Sequence, residues 1–342
     1  MKHWQTLFLN LLRKYAFALG VCLLTATLGI TVIKMSLERQ SAINTIKEQI
    51  IQLENSLLAA GVDIAYDHLS FSNISPWQVV RIKNLQIYSL DSNHFWAWKC
   101  DEFDISSDVF DAKKLHLHFS QKQHFQLGEK LWEAELPQVL AEAELSENHQ
   151  LKSMTLQAEN ILAPNLFTIE NLAFNAQRLN SSEAFAETFL EVKNLLIADN
   201  VSWPLNKKID YIYLNSNVIG PFESQSIFTE SLYNWIEKDG FIKIAKLIVN
   251  WKPLVLVGKG DLFFDENLSP TLSINTSSLA LTEILDTLNQ NGILQDKGVF
   301  VAKILLNNKA FKKNLSDAYY TVTTPIKFDK GQVLIENIPV FE

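Results

Sequence analysis

Cysteine, glycine and proline are all scarce in this sequence. Its 342 residues include two cysteines, 11 glycines and 9 prolines. These low contents exclude a disulfide-dense scaffold, a collagen-like chain and a low-complexity chain. Cys22 lies in an apolar segment, far in sequence from Cys100, so we expect no disulfide and predict that Cys100 is a buried, inert thiol. Because 47% of the residues are hydrophobic and 11% are aromatic, the chain can bury a core and favours strands.

The sequence also lacks the motifs of common enzyme classes. It contains no G-x-S-x-G, H-E-x-x-H, S-x-x-K or P-loop pattern. Gly258-x-Gly260 is followed by Phe263 where a dinucleotide-binding loop needs a third glycine, and the surrounding residues indicate a strand. We therefore predict a non-enzymatic protein without a cofactor. An uncharacterised hydrolase remains the alternative.

Positive charge is scarce outside the N-terminal segment. The chain has a formal net charge of −8. Residues 1–34 contain no acidic side chain and four basic ones, Lys2, Arg13, Lys14 and Lys34. The remaining residues therefore carry −12. Nucleic-acid binding needs cationic side chains against the phosphates, so nucleic acid is excluded as a partner.

One long apolar segment predicts a membrane-spanning helix. The 19 residues from Tyr15 to Ile33 contain no charged side chain. A helix of that length spans roughly 28 Å, close to the thickness of a bilayer core. The run is too long for a cleaved signal peptide, and Val21 stands where a lipoprotein signal ending at Cys22 needs a small residue. A helix buried in a globular protein is the other alternative, although such helices are rarely apolar on every face.

The large size difference between the two flanks of this span predicts its orientation. We expect residues 1–14 to form a short cytoplasmic tail and the domain from Val62 onward to be extracytoplasmic. Residues 34–61 between them predict a juxtamembrane helix that ends at Gly61, because apolar residues recur at steps of three and four. That stripe can pack on the β domain or form a coiled coil with a second copy. The first is favoured, since the repeat is short of three heptads.

From Val62 onward, alternation of apolar and polar residues predicts half-buried strands in hairpin order, and hence an antiparallel sheet. The predicted strands include Val80–Ile87, Trp96–Cys100, Leu115–Phe119, Thr168–Ala176, Phe189–Ile197, Ile209–Val218, Phe241–Trp251 and Leu254–Phe264. Gln138–Leu145 and Met154–Ala158 predict a hairpin, although the Ala and Glu content of the first segment also suits a helix.

The C-terminal part predicts a few short elements. We expect Thr282 to cap a helix that ends at Asn291-Gly292, and Val299–Leu306 to form either a helix or a strand. A final hairpin is predicted from Tyr319–Phe328 and Gln332–Phe341. The fold class is therefore mainly β (α+β): one N-terminal transmembrane helix, then extended or curved antiparallel sheets with a few short helices. Residues 62–342 form the β-rich domain, which we expect to comprise two sub-lobes that divide near residue 220.

Two groups of side chains were considered as metal sites. His116 and His118 share one face of a strand and His124 follows, but no carboxylate or cysteine completes a zinc set. An acidic run does not match the spacing of a calcium loop: Asp101, Glu102, Asp104, Asp108 and Asp111. Both groups are predicted to be solvated strand faces, and no metal is expected.

An ordered set of short motifs points to a known family. They are Gly61–Ser70, Trp96-Ala97-Trp98-Lys99, Leu232-Tyr233-Asn234-Trp235, Asp239-Gly240, Leu247–Trp251, Gly258–Leu262, Asp265, Leu268-Ser269-Pro270, Gly292-Ile293-Leu294, Asp329–Val333 and Ile338-Pro339-Val340. In this order the chain resembles the bacterial domain-of-unknown-function family 2125, although Asn73-Ile74-Ser75-Pro76 replaces that family's usual Gly-Phe-Pro turn. The resemblance implies a bacterial inner-membrane anchor and a periplasmic domain, with no assigned activity. The layout of anchor, glycine and extended strands is also similar to that of AsmA-type envelope proteins, which are long β grooves linked to lipid movement.

The apolar face of such a sheet must be hidden, and this requirement suggests a function. The sheet can close as a barrel, pack as a sandwich or curl into a groove. A groove would bind or move lipid acyl chains beside the bilayer that Tyr15 to Ile33 enter, whereas a closed sandwich would serve as an interaction or assembly module for another envelope protein. The predicted groove residues are Phe241, Val255, Val257, Phe263 and Leu272.

Overall fold

The computed structural model describes residues 54, 55, 58 and 61–341, apart from residues 75–76, 91–94, 109–112, 147–150, 180–183, 202–204, 221–233, 266–268, 295, 313–321, 330–331 and 336–337. The predicted tail at 1–14, the predicted span at 15–33 and most of the predicted helix at 34–61 lie outside these residues. Within the described part of the chain, no helix is both long enough and apolar enough to cross a membrane. Gly61 has a positive φ of 74°, as the glycine after a helix commonly does.

The described residues form one antiparallel sheet of 18 strands with two helices near its C-terminal end. The strands are β1 Val62–Ala65, β2 His68–Ile74, β3 Trp77–Ser89, β4 Trp96–Asp108, β5 Lys114–Phe119, β6 Lys122–Leu127, β7 Lys130–Glu135, β8 Gln138–Leu145, β9 Leu151–Ala163, β10 Phe167–Arg178, β11 Ala184–Ile197, β12 Lys208–Ile219, β13 Phe241–Trp251, β14 Leu254–Phe264, β15 Pro270–Leu279, β16 Val322–Asp329, β17 Gln332–Ile335 and β18 Ile338–Phe341. Helix α1 is Leu281–Gln290 and helix α2 is Asp296–Lys312.

Strand pairing differs between the two ends of the sheet. At the N-terminal end β1 and β2 both pair with β3, and β4 pairs with β3, β5 and β6. Strands β5 and β6 continue to β8 and β7, which both reach β9. From β9 to β18, each strand pairs with the next strand in the sequence. The predicted division near residue 220 falls between β12 and β13, which pair along most of their lengths.

The two larger hydrophobic cores lie at opposite ends of this sheet, and a smaller cluster comprises Leu115, Ala143 and Leu145. The N-terminal core is formed by the alternating side chains of β3 and β4 with Leu117 and Ala141, and its buried members are Val80, Ile82, Leu85, Ile87, Trp98, Cys100, Phe103 and Ile105. The C-terminal core joins the two helices to β14, β17 and β18 through Leu254, Leu281, Ile284, Leu285, Val299, Ala302, Leu306, Ile335 and Val340. Cys100 is fully buried, as predicted.

Most strand predictions are confirmed, including those for β13 and β14. Gln138–Leu145 forms β8 and pairs with β9, because its alternating Ala and Val side chains face the sheet's interior. Val299–Leu306 is helical, within α2.

Two predictions about the C-terminal part are wrong. Thr282 does not cap α1: the residue before the helix is Ala280, in a left-handed conformation, without a side-chain cap. The segment Gln332–Phe341 is not one strand but the hairpin β17–β18. Neither feature has a usual sequence signal. Alanine is not a common helix cap, and the second strand of the hairpin is a short edge strand that contains Pro339.

Three asparagines bend the strands. Asn84, Asn160 and Asn194 have positive φ angles of 52°, 55° and 51° within β3, β9 and β11. The register with the neighbouring strands continues without a shift across each of these residues. The alternation of side chains nevertheless reverses: Val80 and Ile82 are buried before Asn84, and Leu85 and Ile87 are buried after it. The residues that face each side of the sheet therefore change parity at these points.

Candidate functional site: an apolar sheet face

The register of the strands aligns apolar side chains in rows that cross the sheet. Directly paired residues of antiparallel strands lie on the same face. Leu156 of β9 pairs with Phe174, Phe174 with Leu190, Leu190 with Leu214, and Leu214 with Leu247 of β13. A second row runs beside the first through Ala158, Leu172, Val192, Ile212 and Val249. We call these ten residues of β9–β13 the apolar face.

The apolar face is less covered than the two cores. Eight of its ten residues are half-buried, and only Ala158 and Val192 are buried, whereas Phe103 of the N-terminal core is fully buried. Helices α1 and α2 pack at the far end, against β14 and β16–β18. The apolar face is therefore a continuous apolar surface to which solvent or a ligand has partial access.

Small residues continue the first row beyond β13. Gly258 of β14 pairs with Leu247 and with Thr276, and Gly260 lies two residues further along the strand. A Cβ atom at Gly260 would collide with the carbonyl oxygen of Ser273, so the close approach of β14 and β15 requires glycine there. The two glycines lie inside a strand and not at a strand-to-helix turn, where a nucleotide phosphate would bind.

The five predicted groove residues do not share one face. Phe241, Val255, Val257 and Phe263 lie on the face opposite the apolar face, where the rings of Phe241 and Phe263 stack with centroids 5.1 Å apart. Leu272 pairs with Leu262 and Phe328 and lies on the same side as the apolar face. Sequence reasoning missed Leu190 and Leu214, because the face on which a residue lies depends on where the alternation reverses and on the register between strands.

The sequence comparison identifies the family. A model of a family of uncharacterised proteins conserved in bacteria, domain of unknown function 2125, matches residues 46–341. The chain belongs to this family. The match covers the whole described sheet, so the apolar face is part of the family 2125 domain. No curated protein matches the sequence.

The opposite face of the family 2125 domain carries polar and aromatic side chains. Tyr211 donates a hydrogen bond of 2.9 Å to Glu191, and the rings of Phe189 and Tyr213 meet edge to face at 5.2 Å. Partial burial raises the pKa of Tyr211, and the hydrogen bond to Glu191 adds to the rise. Beside them is a depression of about 370 Å³ whose lining includes Thr155, Gln157, Ala173, Asn175, Glu187 and Phe189. Its lining contains one hydroxyl, that of Thr155, and one carboxylate, that of Glu187, and no cysteine, serine or histidine.

Two of the three histidines lie near glutamates on adjacent strands. His116 lies 3.1 Å from Glu142, and His124 lies 4.0 Å from Glu133. No group of three His, Cys, Asp or Glu side chains that could hold a metal occurs in the described ranges.

Within the acidic run, Asp104 and Glu102 contact Arg81. Arg81 donates hydrogen bonds of 2.8 and 2.6 Å to the two carboxylate oxygens of Asp104, and Glu102 lies 3.1 Å away. These contacts raise the pKa of Arg81, chiefly through the hydrogen bonds to Asp104. Asp111 lies outside the described residues.

Proposed function

We propose that the chain is a non-enzymatic β scaffold, anchored in the bacterial inner membrane through Tyr15 to Ile33, whose periplasmic apolar face binds lipid acyl chains. The observation that carries this proposal is the unbroken pair of apolar rows across β9–β13. The layout also agrees with the likeness to AsmA-type envelope proteins, which is a likeness of architecture alone.

The dimensions of the apolar face suit one acyl chain. Neighbouring strands lie about 4.8 Å apart, so five strands span roughly 19 Å. One leaflet of a bilayer core is about 15 Å thick, and a lipid chain occupies that length. Each CH₂ group moved from water onto an apolar surface contributes up to about 0.8 kcal/mol. An acyl chain that lies along the rows would therefore gain binding free energy at every strand that it crosses.

The chemistry of the rows favours a hydrocarbon over a polar ligand. The ten residues of the apolar face include no charged and no hydrogen-bonding side chain. A neighbouring row contains two hydroxyls, but Thr188 and Ser216 satisfy each other with a hydrogen bond of 2.7 Å. A surface without free polar groups offers no specific contact to a sugar, a nucleotide or a peptide backbone.

The test uses photocrosslinking in intact cells. A benzophenone amino acid replaces Leu190 or Leu214 in the full-length chain, and adducts are identified by mass spectrometry after irradiation. We expect adducts with the mass of a membrane lipid at both positions. Adducts to a second protein at these positions would instead support the interaction-module alternative, and the absence of any adduct would exclude both.

Matched controls come from the neighbouring residues. Glu191 and Tyr213 are adjacent to the test positions, but their side chains face the other side of the sheet. The same photoreactive residue at either control position should give no lipid adduct. Equal lipid labelling at test and control positions would show non-specific contact with the bilayer and would contradict the proposal.

A further inference from the structure

Helix α2 packs against the end of the sheet through one face. Val299, Ala302 and Leu306 are buried in the C-terminal core. Gly298 touches the carbonyl of Pro339 in β18, and a Cβ atom at this position would collide with it. Helix α2 therefore lies directly on the edge strand β18, and the opposite face of the helix is directed away from the sheet.

The opposite face of α2 is also apolar. Phe300, Val301 and Ile304 are 67%, 42% and 44% exposed. Together with Lys297 they follow the i, i+3, i+4, i+7 spacing of one helical stripe, which we call the exposed stripe. A helix at the surface of a soluble domain ordinarily shows a polar outer face. Two apolar faces on one helix indicate that the outer face has a partner of its own.

The charge of α2 differs from that of the rest of the domain. The helix contains one acidic residue, Asp296, and four lysines: Lys297, Lys303, Lys309 and Lys312. Residues 35–342 as a whole carry −12. One of the lysines is engaged within the domain, because Lys303 contacts Asp286 of α1 at 2.6 Å. The helix is still a basic element in an acidic domain.

We propose that the exposed stripe of α2 docks on an anionic lipid bilayer surface. An interfacial helix needs a few large apolar side chains that enter the headgroup boundary and lysines that attract anionic lipids. Three side chains are too few for a stable protein interface, which buries about 800 Å² on each partner. The exposed stripe is separate from the apolar face, so this contact does not depend on what the apolar face binds.

A vesicle flotation assay tests the proposal. The full-length chain, held in phosphatidylcholine nanodiscs, is mixed with separate vesicles of phosphatidylcholine alone or with phosphatidylglycerol. We expect flotation with the anionic vesicles, weakened by salt. The triple variant Phe300→Ser, Val301→Ser, Ile304→Ser should reduce the bound fraction roughly tenfold, since it removes the apolar part of the contact.

A matched variant controls for general loss of surface hydrophobicity. Leu131 and Leu140 are 67% and 52% exposed on β7 and β8. Leu131→Ser with Leu140→Ser should leave flotation unchanged. All five substituted side chains are exposed, so thermal unfolding of both variants should match that of the wild type. Equal flotation of the triple variant and the wild type would overturn the proposal.

A reporter on the stripe distinguishes a bilayer from a protein partner. Phe300→Cys in a Cys22→Ser background accepts an environment-sensitive dye, because the remaining Cys100 is buried. The dye emission should shift to the blue only when anionic vesicles are added. A blue shift without vesicles, together with a dimer in analytical ultracentrifugation, would show that a second copy covers the stripe and would overturn the proposal.

Discussion

The hydroxyl of Tyr66 ionises well above its ordinary range. Partial burial, a hydrogen bond to Glu54 and the charge of that carboxylate together raise the pKa of Tyr66 to about 12, with burial the largest cause. An unfolded tyrosine ionises near pH 10. Between pH 10 and 12 the unfolded chain has released this proton while the folded chain still holds it. The free energy of unfolding therefore falls as the pH rises through that range.

This linkage gives a prediction for Tyr66→Phe. Phenylalanine has no proton to lose, so the variant should lose less stability than the wild type between pH 10 and 11. Urea denaturation at a series of pH values measures the difference. Below pH 9 the difference in free energy of unfolding between the two proteins should not change with pH. A difference that stays constant through pH 11 would show that Tyr66 ionises normally.

At the scale of the element, the left-handed conformation of Asn194 decides which residues of β11 face each side. Its φ is 51°, and its side-chain amide donates a hydrogen bond of 2.6 Å to Glu170 on β10. Asparagine and glycine tolerate this left-handed conformation, whereas a β-branched residue does not. Asn194→Val should therefore lower the free energy of unfolding by about 1–2 kcal/mol.

Two further variants make this prediction specific. Asn194→Gly should stay within about 0.5 kcal/mol of the wild type, since glycine accepts the conformation. Leu196→Val places the same β-branched residue at an exposed, ordinary position of the same strand and should also have little effect. Urea midpoints measure all three. Equal losses for the two valine variants would contradict the role assigned to the left-handed conformation of Asn194.

These reversals of alternation, together with the strand register, also explain which parts of the fold could be predicted from the sequence. Alternation predicted β13 and β14 with their observed bounds, because hydrophobic periodicity within one strand is a local signal. The face of Leu272 relative to Val257 depends on the register between β14 and β15, and no local pattern contains that information. The rows of the apolar face, and hence the candidate site, were visible only after pairing was known.

At the scale of the whole molecule, the two cores are independent. They share no residue and are joined by the meander of β9–β13. In a chain of elements that interact mainly with their neighbours, stability is close to a sum of local contributions. Loss of packing at one end should therefore leave the other end protected.

Phe103→Ala tests this independence. The side chain is fully buried, so its loss should cost about 3–5 kcal/mol. Amide hydrogen exchange should accelerate in β3–β5 and remain unchanged in β14–β18. The reciprocal variant Leu285→Ala should accelerate exchange only at the C-terminal end. A uniform acceleration along the sheet in either variant would show that the sheet unfolds as one cooperative unit.

The meander has a consequence for how the domain can vary in evolution. Each strand from β10 to β16 pairs with the strand before it and the strand after it. Removal of two consecutive strands, such as β10 and β11, preserves the alternating direction and brings Leu156 opposite Leu214. Gain or loss of a hairpin therefore changes the length of the apolar rows without changing their chemistry. Homologues can differ by whole hairpins in the length of the apolar rows. Selection can then change this length without changing the two ends of the sheet.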